Sequence, residues 1–157
     1  MISTTQGRLY LTALSSLERL EIQFVPNEIS PSRQANWSEI AIVGRNNPLY
    51  HYTGGTNSLS LTLDFHSVEE DRSDVVRKCR LLESWAMNNA YNNPPERIKL
   101  TYGRLFKEDE IWLIQSVNPT YTQFSAEHNF LPVQAIVQLD LVLDTDRNRK
   151  TRDVLWK

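Results

Sequence analysis

Apolar and polar residues alternate along much of this chain, and the period of the alternation names the elements. In residues 18–24, Leu20, Ile22 and Phe24 point one way while Glu21 and Gln23 point the other, as in a half-buried strand. In 57–66, Leu59, Leu61, Leu63 and Phe65 stand opposite Ser58, Ser60, Thr62 and Asp64. One face of that strand meets a core and the other meets water or a lumen. After the acidic Glu69-Glu70-Asp71 the period changes. Residues 73–90 place Val75, Val76, Cys79, Leu82 and Ala86 at helical spacing, with Arg77, Lys78, Arg80 and Glu83 between them, and acidic residues suit a helix N-terminus. Asn92-Asn93-Pro94-Pro95 stops this helix, since proline lacks a donor and disfavours helix in the residue before it.

Strand period then returns at Ile98, Leu100 and Tyr102, and at Ile111 to Val117 after a turn at Lys107-Glu-Asp-Glu. It is longest where Val133, Ala135, Val137, Leu139, Leu141 and Leu143 share one face. Strands, one helix, then strands predict a mainly β fold with one flanking α-helix. An antiparallel sandwich or barrel fits that order, because parallel strands need a crossover at each step. Residues 30–55 break the pattern, with Pro31, Gly44, Pro48 and Gly54-Gly55 as punctuation. They predict a long assembly loop with at most short strands near 34–42 and 48–53, and long ordered loops are usually functional. The aperiodic residues 144–157, with Arg147, Arg149, Lys150 and Arg152 before Val154-Leu155-Trp156, are expected to form a C-terminal arm that docks on another subunit.

Size changes this picture little: 157 residues make one domain, 1–157, large enough for a core without staples. Seventeen Lys+Arg against nineteen Asp+Glu give a net charge of -2, without the basic excess of a dedicated nucleic-acid binder. The single cysteine, Cys79, excludes an internal disulfide and multi-thiolate zinc, and points to a reducing compartment. There is no basic start followed by an apolar core, and no apolar run near the ~20 residues that span a bilayer. A product folded in the cytoplasm, without membrane insertion, is expected.

Candidate chemistry is sparse. His51, His66 and His128 lack metal-like spacing, and Cys79 on an apolar helix face is best explained as a small hydrophobe. Glu69-Glu70-Asp71 and Glu108-Asp109-Glu110 lie at element boundaries, where acidic residues are commonly a solvated turn or a helix-start charge, and no apolar pocket is implied that would raise a pKa. Gly54-Gly55 precedes a strand rather than a helix, which removes the phosphate-cradling arrangement. No nucleophile has a base beside it, so neither an enzyme nor any cofactor is expected. The stretch from Phe24 to Phe65 instead supplies donors, flat rings and turn residues, the materials of a protein interface. Arg33, Trp37, Arg45, Pro48, Tyr50 and Tyr52, with Trp156 at the chain end, are the candidate interface residues. A local mini-core around Trp37 is the alternative, and Trp85 is assigned to the core.

Phe24-Val-Pro-Asn-Glu-Ile, Ser32-Arg-Gln-Ala-Asn-Trp-Ser-Glu-Ile, Gly44-Arg, Pro48-Leu, Tyr52-Thr-Gly-Gly and Leu59-Ser-Leu-Thr-Leu, in that order, resemble the tube-type baseplate proteins of contractile injection systems and contractile-tailed phages. The family's motif falls here on Asn27, Arg33, Trp37, Gly44, Arg45, Pro48, Tyr52, Gly54 and Gly55. The resemblance covers roughly 18–143 and implies a tail-tube fold of two antiparallel sheets and a flanking helix. It also implies a hexameric ring joining the inner tube to the central hub and spike, in a virion or injection particle. Partners would be other copies of the chain, tube and hub proteins and also wedge proteins, with DNA only as lumen cargo. Many relatives carry a LysM module after this domain, and this chain ends at Lys157 without one. A peripheral module attaching wedge components is the alternative function.

Overall fold

A computed structural model describes residues 8–68, 70, 72–87 and 94–144. The strands are β1 (Tyr10–Ala13), β2 (Arg19–Glu21), β3 (Ile29–Ile40), β4 (Leu49–His66), β5 (Arg97–Thr101), β6 (Ile111–Ser125) and β7 (Leu131–Asp144), with one helix, α1 (Asp74–Trp85). The fold is mainly β with one flanking helix, as the periodicity predicts. All seven strands join in one antiparallel sheet of order β2-β1-β5-β6-β7-β4-β3. The resemblance implies two sheets; here two residue pairs, Arg97↔Leu113 and Ile98↔Trp112, bridge β5 to β6 and make them one.

The register puts apolar residues opposite apolar ones. Leu59↔Leu141, Leu61↔Leu139, Leu63↔Val137 and Phe65↔Ala135 all face the core. From the other end of the sheet, Leu11, Leu20, Ile98 and Leu100 enter the same cluster. A helix about 10–12 Å across cannot cover seven strands spaced at about 4.8 Å. The sheet must therefore curl so that its two ends share one interior. Val75, Cys79, Leu82 and Trp85 of α1 close that interior, and Trp85 Nε1 donates to Glu18 at 3.2 Å.

The helix starts where Asp74, although buried, has partners: its carboxylate accepts from the Ser67 hydroxyl at 2.9 Å and the Val68 N–H at 3.0 Å. Burial pushes this carboxyl up, but the hydrogen bonds from Val68, Ser67 and Val75 outweigh it and hold it below the usual range. Cys79 and Trp85 lie in the core as the sequence indicates. Burial pushes the Cys79 thiol up to about 11 and the neighbouring Tyr121 hydroxyl up to about 12.

Three expectations need correction. The sequence places 30–55 in a loop with short strands; the structure makes it a long hairpin, β3 and β4, turning at 41–48. Residues 18–24 are expected to form one strand, but β2 ends at Glu21, and Phe24 leaves the core to stack edge-on against His66 at 5.1 Å. The helix expected over 73–90 ends at Trp85, and the part of that expectation on 88–90 lies outside the described residues. Trp156 and the rest of the expected arm beyond Asp144 also lie outside them.

Candidate functional site: a projecting arm, two open edges and a polar face

β4 pairs with β7 only from Ser58 onward, whereas its pairing with β3 continues out to Leu49↔Ile40. The residues beyond this point form a two-stranded arm that projects from the body. From Arg33 to Ile40 it is roughly 24 Å long at about 3.4 Å per residue. Sequence periodicity misses it because neither face of such an arm contributes to the chain's own core.

The arm's two faces differ. Arg33, Ala35, Trp37 and Glu39 alternate onto one side of β3, opposite Asn57, Gly55, Tyr52 and Tyr50. This side continues the core-facing side of the sheet, where Pro31↔Leu59 and Ile29↔Leu61 lie. Four of the seven candidate interface residues, Arg33, Trp37, Tyr50 and Tyr52, thus share one exposed face. Trp37 is 60% exposed and its ring lies 5.3 Å from that of Tyr52. Gly55 makes the pad possible: a Cβ there would meet the Gln34 carbonyl oxygen at 2.7 Å and the Tyr52 hydroxyl at 3.0 Å. A bulge at Asn36/Trp37 sits beside Gly54, whose φ of 124° suits glycine. Arg45 and Pro48 lie apart from the pad, in the 41–48 turn at the arm's tip, with the fully exposed Val43. At its foot, Arg33 Nε donates to Asn57 Oδ1 at 2.9 Å.

Two long strand edges lack a neighbour among the described residues. One is the outer edge of β3. The other is β6 from Ile114 to Ser125, because β5 reaches only Trp112 and Leu113. Sequence reasoning misses the second edge, since it ends that strand near Val117. The four strands between these edges, β3-β4-β7-β6, present away from the core a mostly polar surface, interrupted by Ile136 and Val142 of β7. Ser58, Ser60 and Thr62 of β4 lie beside Gln138 and Asp140 of β7, and Asn118, Thr120 and Thr122 of β6 follow. No Lys or Arg occupies an outward position there between Ser30 and Ser32 on one side and Ser116 and Thr122 on the other. The carboxylates on this surface are tied down: Asp140 accepts from Ser60 and Ser116 at 2.7 and 2.8 Å. Asp64 accepts from Gln134 Nε2 at 3.1 Å and lies 3.3 Å from His66.

His51 stands on the arm, His66 at the far end of β4 and His128 in the β6–β7 turn, so the three do not converge. Among the described residues, no group of three or more His, Cys, Asp or Glu could hold a metal ion, and no helix is long and apolar enough to cross a membrane. No family model matches the chain, and no curated protein matches it in sequence.

Proposed function

We propose that this chain is a structural subunit of a phage-tail or contractile injection particle baseplate, forming a ring that connects an inner tube to a central hub. The observation that carries this is the pair of open edges. Along β3-β4-β7-β6 each neighbour is antiparallel, so β3 and β6 run in opposite directions. The β3 edge of one copy can therefore join the β6 edge of the next in the same antiparallel sense, head to tail, until the rotation closes. Pro31 on one edge and Pro119 on the other each lack a donor and narrow the register such pairing can take.

Closure turns the polar surface inward. Six copies, the number the resemblance implies, bring 6 × 4 = 24 strands to the wall. At a spacing of about 4.8 Å and a tilt of about 40° the backbone diameter is roughly 45–50 Å. A wall mostly of hydroxyls, amides and tethered carboxylates, with Ile136 and Val142 among them, holds cargo weakly, which suits a conduit better than a binding site. The aromatic arm then supplies contact with a neighbouring subunit, because Trp, Tyr and Arg concentrate the energy of protein interfaces.

Electron microscopy of the purified chain and of particles containing it tests this reading. The expected result is a closed annulus lined by β3, β4, β6 and β7, lost when residues 33–52 are deleted. A chain that stays solitary inside its particle, or annuli unchanged by the deletion, would overturn it.

A further inference from the structure

A hollow of about 340 Å³ opens between the foot of the arm and the β5–β6 loop. Pro31, Leu105, Trp112 and Leu143 give it apolar walls. Its charged residues are already engaged. Arg33 donates to Asn57, the Lys107 N–H donates to the Glu110 carboxylate at 3.4 Å, and the Glu110 N–H donates to the Lys107 carbonyl at 3.2 Å. Trp112 is not: the residue is 5% exposed, and its buried Nε1–H has no acceptor among the described residues. Buried donors without partners are rare in folded proteins, so this one calls for a group that completes it.

The chain carries such a group close by. β7 runs to Asp144, one residue past Leu143 in the wall of the hollow, and the sequence continues from there. From Thr145 to Asp153 every residue is polar or charged, and then come Val154, Leu155 and Trp156. We propose that this apolar triplet returns to the body of its own chain and seats Trp156 in the arm-foot hollow, where a main-chain carbonyl of the segment accepts from Trp112 Nε1. Size permits it: a cavity of about 150 Å³ already takes a benzene ring, and the hollow has more than twice that volume for an indole. Reach permits it as well, since the twelve residues from Thr145 to Trp156 can cover roughly 40 Å at about 3.3–3.6 Å each. Tethering favours the chain's own hollow over that of a second copy. A segment joined to its site through so few residues meets it at an effective concentration on the order of mM, above that of the free subunit in solution. The body of the same chain, in place of another subunit, then receives the C-terminal residues, whether or not the copies close into rings. No pairing of charges is required.

Cross-linking and indole exchange test this on the full-length chain. L105C/K157C, oxidised in dilute solution, should form a disulfide within single chains, seen as an unchanged monomer mass after non-reducing electrophoresis and as a linked peptide pair after digestion. Cys79, being buried, should take no part. Adding W156A should slow that cross-link about tenfold or more, which mere tethering near the hollow would not do. In NMR spectra the Trp112 indole N–H, assigned through W112F, should be protected, and W156A should speed its exchange about tenfold or more. Disulfides found only between chains would overturn the proposal in favour of docking on a second copy. Cross-linking and exchange rates both indifferent to W156A would overturn it outright.

Discussion

Replacing Gly55 by alanine should damage the arm while sparing the body. The added Cβ would sit 2.7 Å from the Gln34 carbonyl oxygen and 3.0 Å from the Tyr52 hydroxyl. The tyrosine tip can swing aside, but the carbonyl belongs to the paired strand and can move only with the backbone. Overpacking of this kind costs about 1–3 kcal/mol. Spread through the whole fold, that would lower Tm by about 2–12 °C, at roughly 2–4 °C per kcal/mol for a domain of this size. The arm, however, is a two-stranded ribbon, and such ribbons are marginal by themselves. It should open locally instead, leaving Tm within about 2 °C of wild type. Local opening should speed amide exchange at 33–40 and 49–57 by about 5–140-fold, a factor of ten per 1.4 kcal/mol. Native-state hydrogen exchange by NMR reads this directly. Unchanged exchange in the arm, or a fall in Tm as large as that of a core truncation, would refute the reasoning. Y52F should recover only part of the loss, since the Gln34 contact remains.

Leu139→Ala, fully buried opposite Leu61, should cost about 2–5 kcal/mol and depress the thermal midpoint measured by calorimetry. Trp37→Ala should leave that midpoint nearly unchanged, the ring being mostly exposed, while reducing association seen by sedimentation. Asp74 has its carboxyl held down by hydrogen bonds in the folded state, so its contribution is present above the unfolded value near 4 and lost as pH falls below it. Asp74→Asn should remove about 1–3 kcal/mol at pH 7 and flatten the acid limb of a stability–pH curve from urea titrations. At the alkaline end the sign reverses. Cys79 and Tyr121, pushed up to about 11 and 12, keep their protons after the unfolded chain has released its own. Stability should thus fall as pH rises from about 9 towards 12, less steeply in the C79A/Y121F variant.

The parts of the fold visible in the sequence are those where one face meets the core and the other does not. Leu59 to Phe65, Val133 to Leu143 and Val75 to Leu82 carry that contrast, and all three emerge as elements with the expected faces buried. The arm carries no such contrast. Trp37, Tyr50 and Tyr52 stand on it among Ser, Asn, Gln and Gly because nothing in the chain covers either side. Composition gathers Arg33, Trp37, Tyr50 and Tyr52 as interface candidates but cannot show that they share a face. β1 was hidden by its length of four residues, and the outer half of β6 by Pro119, which reads as a strand break unless the strand is known to lie on an edge. The hollow at the arm's foot draws on three separated segments, a proximity no local pattern records.

The partner of β4 also sets a timetable for synthesis. Leu59 must wait for Leu141, and Phe65 for Ala135, while roughly 70–80 intervening residues are translated. At about 5–20 residues per second the ribosome takes on the order of 4–16 s to supply them. Through that interval the nascent hairpin shows a row of four large apolar side chains to the cell. Slower elongation would lengthen this exposure, so overproduction yield should depend on chaperone supply and on how fast the segment encoding β7 is read.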